Sequence, residues 1–237
     1  MNFSKTIQIA LRLYISTALL HIIASSILFI VISLLYWWLA PIIFGMPFEE
    51  IALLTQKTEK IEALAVNPAF GFKIWLFMLL LDSILTPFSA GLYHNYAAIT
   101  KGEPTNLNNV FAYFRSNYTA NLLAYIFLLM AFKTIIAIVL GSLGLPAFSM
   151  ATLVVISLLF SLTIPIIIFE NKPVLKAMGE SYKRIIPFIF TVMLVVSSAF
   201  TISLSGFFAF GIGIVVTFPL LFATIFALYY QWQLKDK

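Results

Sequence analysis

The chain has no cysteine, only two histidines, and charge on just 10% of its 237 residues. Without cysteine there are no disulfides, iron–sulfur clusters, thiolate zinc sites or cysteine nucleophiles. Nine acids, mostly scattered, and two histidines leave little from which to build a metal site. An ordinary globular domain carries about 25% charged and about 45–50% apolar residues. Here 62% are apolar and the mean hydropathy is +1.05. A water-soluble fold of this composition would expose large apolar patches, which aggregate. The shortage of charge therefore excludes a soluble enzyme and a secreted domain, and points to a polytopic membrane protein.

What is present is long uninterrupted apolar sequence. No charge occurs from Leu13 to Phe48, only Asp82 from Ile74 to Thr100, only Lys133 from Ser116 to Phe169, and none from Ile185 to Leu234. A helix needs about 20 apolar residues to cross a hydrocarbon core of roughly 30 Å. The two longest runs must each fold back, at Gly141-Ser142-Leu143-Gly144-Leu145-Pro146 and around Ser203 to Gly213. The result is a single all-α integral membrane domain over 1–237 with six spans, at about 14–40, 71–97, 119–141, 148–169, 185–205 and 210–232. Continuous apolar runs lack the alternation of barrel strands. The first span is too long for a cleavable signal segment and is expected to stay.

Lys and Arg set the orientation. With both termini inside, Lys5, Arg12, Lys101, Arg115, Lys172, Lys176, Lys183, Arg184, Lys235 and Lys237 are cytoplasmic, against Lys57, Lys60 and Lys73 outside. The expectation is a multi-pass protein of a bacterial inner membrane, N-in and C-in. This asymmetry accounts for the net charge of +5, and nothing calls for nucleic acid.

A pattern occurs three times. Each odd-numbered span follows a short amphipathic stretch: Ile7, Ala10, Leu11 and Tyr14; Leu107, Val110, Phe111, Phe114 and Tyr118; Leu175, Met178, Tyr182 and Ile185. Each stretch carries a basic group near its end, namely Arg12, Arg115 and Lys183-Arg184. Each even-numbered span holds a Thr close before a Pro: Thr86-Pro87, Thr163 with Pro165, and Thr217 with Pro219. Proline removes a backbone hydrogen bond and kinks a helix, and a nearby hydroxyl can satisfy the freed groups. The expected unit is surface helix, span, turn and kinked span, giving three hairpins with a cytoplasmic collar of interfacial helices. Thr-Pro is also common in membrane helices, so coincidence competes with a true repeat. Residues 47–66 read as an outer amphipathic helix opened by Pro47, with Glu49 and Glu50 in its first turn. It could lie on the leaflet, cover a cavity or dock a partner.

Thr86-Pro87-Phe88-Ser89-Ala90-Gly91-Leu92-Tyr93, then Lys101-Gly102-Glu103-Pro104, then Val110-Phe111-Ala112-Tyr113-Phe114 resembles a set of uncharacterised bacterial membrane families. These are the YciC-like and YesL-like proteins and the membrane domain attached to some glycerophosphodiester phosphodiesterases. Pro165, Phe169 to Val174, Ala177 to Ser181, Pro219 and Tyr229-Tyr230 extend the likeness over roughly residues 75 to 232. The resemblance implies six spans with no agreed activity. It carries over no catalytic residue, because the phosphodiesterase chemistry belongs to a separate soluble domain.

Intramembrane charges are costly and are default candidates for function. Asp82 and Lys133 fall at similar depths on the second and third spans and are expected to pair. One reading makes them a proton- or ion-coupling site, the other a structural pair or a snorkelling lysine. His21 and His94 read as hydrogen-bonded packing residues, with a proton relay as the alternative. The 170–184 loop, rich in Glu, Lys and Arg, reads as an anchor to anionic lipid or as a docking site for a cytoplasmic partner. Paired-carboxylate, nucleophile-elbow, metal and phosphate-loop patterns are all missing. No metal or cofactor is expected. The leading expectation is a non-enzymatic accessory or scaffold protein that binds lipid or another protein. The alternative is a small transporter or flippase-like protein using Asp82 and Lys133.

Overall fold

The computed structural model describes residues 2–54, 67–208 and 213–234, and no strand occurs among them. Helix α1 (Phe3–Ser16) is capped by Asn2, whose side chain accepts from the Lys5 N–H, and α2 (Ala18–Phe44) follows after a break at Thr17. Helix α3 (Phe48–Leu54) has Glu49 and Glu50 in its first turn, where they complement the helix dipole. Helix α4 (Pro68–Lys101) is the longest. Short α5 (Leu107–Phe111) leads through a 3₁₀ turn into α6 (Thr119–Ser142). Then come α7 (Pro146–Leu159), α8 (Thr163–Glu170), α9 (Val174–Ile185) and α10 (Ile189–Ser205). The chain finishes with α11 (Ile214–Thr217) and α12 (Pro219–Gln233).

Six helical stretches are long and apolar enough to cross a membrane: Ala18–Phe44, Pro68–Lys101, Thr119–Ser142, Pro146–Glu170, Val174–Phe208 and Ile214–Gln233. Each expected span overlaps one of these stretches; most ends shift by a few residues, but the fifth stretch begins at Val174 rather than 185, because the helix Val174–Ile185 runs on into it. The fold-back at Gly144 has a local cause. Its φ of +72° lets the Leu145 N–H turn back to the Leu140 carbonyl at 3.0 Å. Much of the surface is apolar: Ile15, Leu19, Trp37, Trp38, Phe190 and Phe208 are all more than 60% exposed. Such a surface is stable in lipid and unstable in water.

The core lies toward one end, where α4, α8 and α12 meet. Its largest fully buried side chains are Tyr93, Tyr96, Tyr229, Phe88 and Phe226. Tyr93 stacks on Phe226 with ring centroids 6.2 Å apart, and Phe169 stacks on Tyr229 at 5.7 Å. Gly91 is required there, since a Cβ would overlap the Val110 carbonyl of α5. A small satellite core joins Ala40, Ile51 and Phe77.

The three Thr–Pro signals resolve differently. Pro87 sits inside the unbroken α4, so no chain break occurs at Thr86-Pro87. The fourth span is interrupted at residues 160–162, and Thr163 and Pro165 fall in the first turn of α8. The last is interrupted at Phe218, so that Thr217 ends α11 and Pro219 opens α12. Proline is tolerated in a first turn because the N–H it lacks would be unpaired there anyway.

In two of the surface helices the apolar positions divide between the protein and the exposed side. In α1 the buried residues are Thr6, Ala10 and Leu13, while Leu11 is 44% exposed. In α9 they are Val174, Ala177, Ser181 and Ile185, while Leu175 is 73% exposed. An interfacial helix has two apolar environments, protein and lipid, and periodicity does not distinguish them. The small and polar residues Thr6, Ala177 and Ser181 take the protein side because they permit close approach. The middle stretch is an α-helix only over Leu107–Phe111 and continues as a 3₁₀ turn, with Val110 buried and Leu107, Phe111, Phe114 and Tyr118 packed against the core. Of the expected outer helix 47–66, residues 55–66 lie outside the described residues, as do 209–212 of the last fold-back.

Candidate functional site

The polar side chains of the bundle do three jobs, beginning with how the surface helices attach. Each packs most extensively on an even-numbered span: α5 on α4, α9 on α8, and α1 on α12. Asn95 of α4 is fully buried. Its Oδ1 accepts from Asn106 N at 2.8 Å, and its Nδ2 donates to Asn106 O at 3.1 Å. Gln231 of α12 repeats this on Asn2: Oε1 accepts from Asn2 N at 3.2 Å and Nε2 donates to Asn2 O at 3.1 Å. Nε2 also donates to Thr6 Oγ1 at 2.8 Å. Asn106 and Asn2 are the N-caps of α5 and α1. In both places one side-chain amide reads both backbone groups of a helix cap. The third attachment is ionic. Glu170, at the end of α8, receives both arms of the Arg184 guanidinium from α9, and Arg184 also reaches Glu180 at 2.9 Å. Lys172 bridges the same two carboxylates at 2.9 and 2.6 Å, and those hydrogen bonds hold its ammonium above the ordinary lysine value. Arg184 also lies over the Trp232 ring at 5.9 Å.

The second job is to satisfy the interrupted spans, because an unpaired backbone group in lipid costs several kcal/mol. Ser181 of α9 donates to Leu159 O at 2.7 Å and accepts from Leu162 N at 3.2 Å, spanning the break in the fourth span. Tyr125 donates to Phe160 O at 2.9 Å. At the other break Tyr14 donates to Val216 O at 2.8 Å and Tyr96 to Pro219 O at 3.3 Å. Thr217 and Ser203 lock the last span to α10: Thr217 Oγ1 donates to Ser203 O at 2.6 Å and Ser203 Oγ to Thr217 O at 3.1 Å.

His21 is at the centre of the third group. It is 1% exposed, and its Nε2 lies 2.9 Å from both Thr17 Oγ1 and Tyr96 Oη. Those two hydroxyls have carbonyl acceptors of their own, Leu13 O at 2.7 Å and Pro219 O. Nδ1 is buried and has no hydrogen-bond partner. His21 thus ties α2, α4 and α12 together. His94 is exposed and its Nδ1 is 3.2 Å from the Tyr113 hydroxyl, so the two histidines share no network.

Asp82 on α4 and Lys133 on α6 are half-buried on helices that pack together, and each experiences the other's charge. They form no ion pair within 4 Å; the ion pairs among the described residues all lie at 170–184. No cluster of His, Asp or Glu suited to a metal occurs among the described residues. In the sequence Asn95, Gln231 and Tyr96 have no assigned role, and Tyr14 and Ser181 figure only as parts of longer stretches, because the spans are delimited by charge and these residues carry none. Their signal is an uncharged hydrogen-bonding group within an apolar run.

Cavities lie between the helices. One of about 270 Å³ lies between α2, α4 and α11. A second of about 260 Å³ sits beside Thr17 and Thr105, and a third of about 190 Å³ between α2 and Phe111 and Phe114. Neither Asp82 nor Lys133 lines any of them. Compared with protein-family models, curated proteins and solved structures, the chain matches none.

Proposed function

We propose that this chain is a non-enzymatic integral membrane accessory or scaffold protein that binds lipid and a protein partner. Its place is a bacterial inner membrane, with both termini and the three surface helices on the cytoplasmic face. The observation that carries this reading is how the polar groups are used. Asn95, Gln231, Ser181, Tyr14, Tyr96 and Tyr125 hold backbone groups at helix ends and breaks. The space between α4, α8 and α12 is filled by Tyr and Phe rings. A transporter needs a hydrated passage approached by polar groups, and the membrane charges Asp82 and Lys133 adjoin no cavity described above. On α9, Lys176 and Lys183 are exposed beside exposed Leu175 and Tyr182, a combination suited to the surface of an anionic bilayer.

Because the chain has no cysteine, single cysteines report water access without background. Ser89→Cys, Thr163→Cys and Ala223→Cys introduce a small thiol at core positions no more than 2% exposed. In native membranes they resist a water-soluble maleimide, while Lys176→Cys reacts. Rapid labelling of all three core positions would support a hydrated path and favour transport.

A further inference from the structure

Serine and threonine in a spanning helix normally donate to the carbonyl four residues earlier, which removes a polar group from lipid. Ser83, Thr134, Ser157 and Thr224 do so here, at 2.6 to 2.8 Å. Ser25 does not. Its hydroxyl is buried, with the residue 6% exposed, and has no partner. It stands in the wall of the cavity of about 270 Å³ between α2, α4 and α11. The rest of that wall is apolar and includes Leu28 and Ile32 of α2, Leu81 and Leu85 of α4, Val215 of α11 and the ring of Phe218.

Small-molecule sites have this character, an apolar hollow with very few fixed polar groups. Apolar cavities stay dry and take up apolar molecules. Ser25 lies eight residues from the Thr17 break, thus about 12 Å further along α2 at about 1.5 Å per residue. That places it inside the first membrane-spanning stretch, Ala18–Phe44, where apolar side chains rather than charged groups surround it.

We infer that the hollow beside Ser25 is a binding site for a neutral apolar lipid with one hydroxyl or carbonyl oxygen, which accepts a hydrogen bond from Ser25 Oγ. The site deepens the lipid-binding half of the proposed function and rests on it. An uncharged oxygen satisfies the serine, the chain displaces no water, and Phe29, 46% exposed at the rim, opens toward the bilayer that supplies the ligand.

The test is photolabelling of the full chain in mild detergent with a diazirine-bearing octanol, mapped by peptide mass spectrometry. The expected result is saturable labelling of residues 25–32 and 214–218, competed by plain octanol. Ser25→Ala removes one oxygen and should fold normally. It weakens the competition about 2- to 12-fold, the range of one neutral hydrogen bond. Ser83→Ala, whose hydroxyl is bonded within its own helix, leaves it unchanged. Leu85→Trp fills the hollow and abolishes labelling. Non-saturable labelling spread over all lipid-facing helices, or a Ser25→Ala protein identical to wild type, would overturn the site. Neither result touches the accessory-protein reading, which depends on a bound protein partner.

Discussion

Gln231, near the end of the last helix, holds both backbone groups of Asn2 at the start of the first, at 3.2 and 3.1 Å. Asn95 holds Asn106 in the same way. The first surface helix therefore attaches to the last span as the second attaches to the span before it, and the bundle closes on itself. Losing one of these amides leaves a buried cap with unpaired groups, at about 1–3 kcal/mol. Asn95→Ala should lower the melting temperature in detergent more than Gln231→Ala, because Asn95 is fully buried and Gln231 is 7% exposed. A smaller effect at Asn95 would show that the attachments are not equivalent.

Gly91 and Gly179 should respond in opposite directions to the same change. A Cβ at Gly91 overlaps the Val110 backbone, so Gly91→Ala costs about 1–3 kcal/mol or more. At Gly179, inside α9, a Cβ meets nothing within 4 Å, and Gly179→Ala gains roughly 0.5–1 kcal/mol. Thermal unfolding of the two variants decides this directly.

At the ionic attachment, geometry matters more than charge. Arg184 serves Glu170 with two nitrogens and Glu180 with one, and its side chain is 11% exposed. A lysine cannot reproduce that fork. Arg184→Lys should therefore destabilise by about 1.5–3 kcal/mol. Lys172→Met should cost less, about 1 kcal/mol or below, because its side chain is 30% exposed. Unfolding midpoints in low and high salt separate the two, with Lys172 the more salt-sensitive.

Asp82 and Lys133 lie on helices that pack together, and the two side chains form no ion pair within 4 Å. The cycle of Asp82→Asn, Lys133→Met and the double variant should give a favourable coupling of about 0.5–1 kcal/mol. Direct contact in lipid would make the single losses far larger, about 3–5 kcal/mol. Values in that upper range would place the two side chains together.

Much of the architecture is legible in the sequence because membrane thickness imposes a length. The gaps between Arg12 and Glu49, Lys73 and Lys101, or Arg184 and Lys235 can be filled only by spans or pairs of spans. What is not legible is which side of an interfacial helix meets protein. Leu175 and Ala177 are both apolar, yet Leu175 is exposed and Ala177 is buried. The polar framework is hidden for another reason: Asn95 and Gln231 act on backbone groups 11 and 229 residues away, a relationship no local spacing records.

Under the proposed function this bundle serves a protein partner and transports no solute. Native mass spectrometry of the protein, extracted from its own membranes in mild detergent, tests it most directly. The account predicts a second protein in fixed stoichiometry, retained when Asp82→Asn and Lys133→Met are introduced. A chain that always emerges without a protein partner, and carries a small solute lost on changing Asp82, would contradict it.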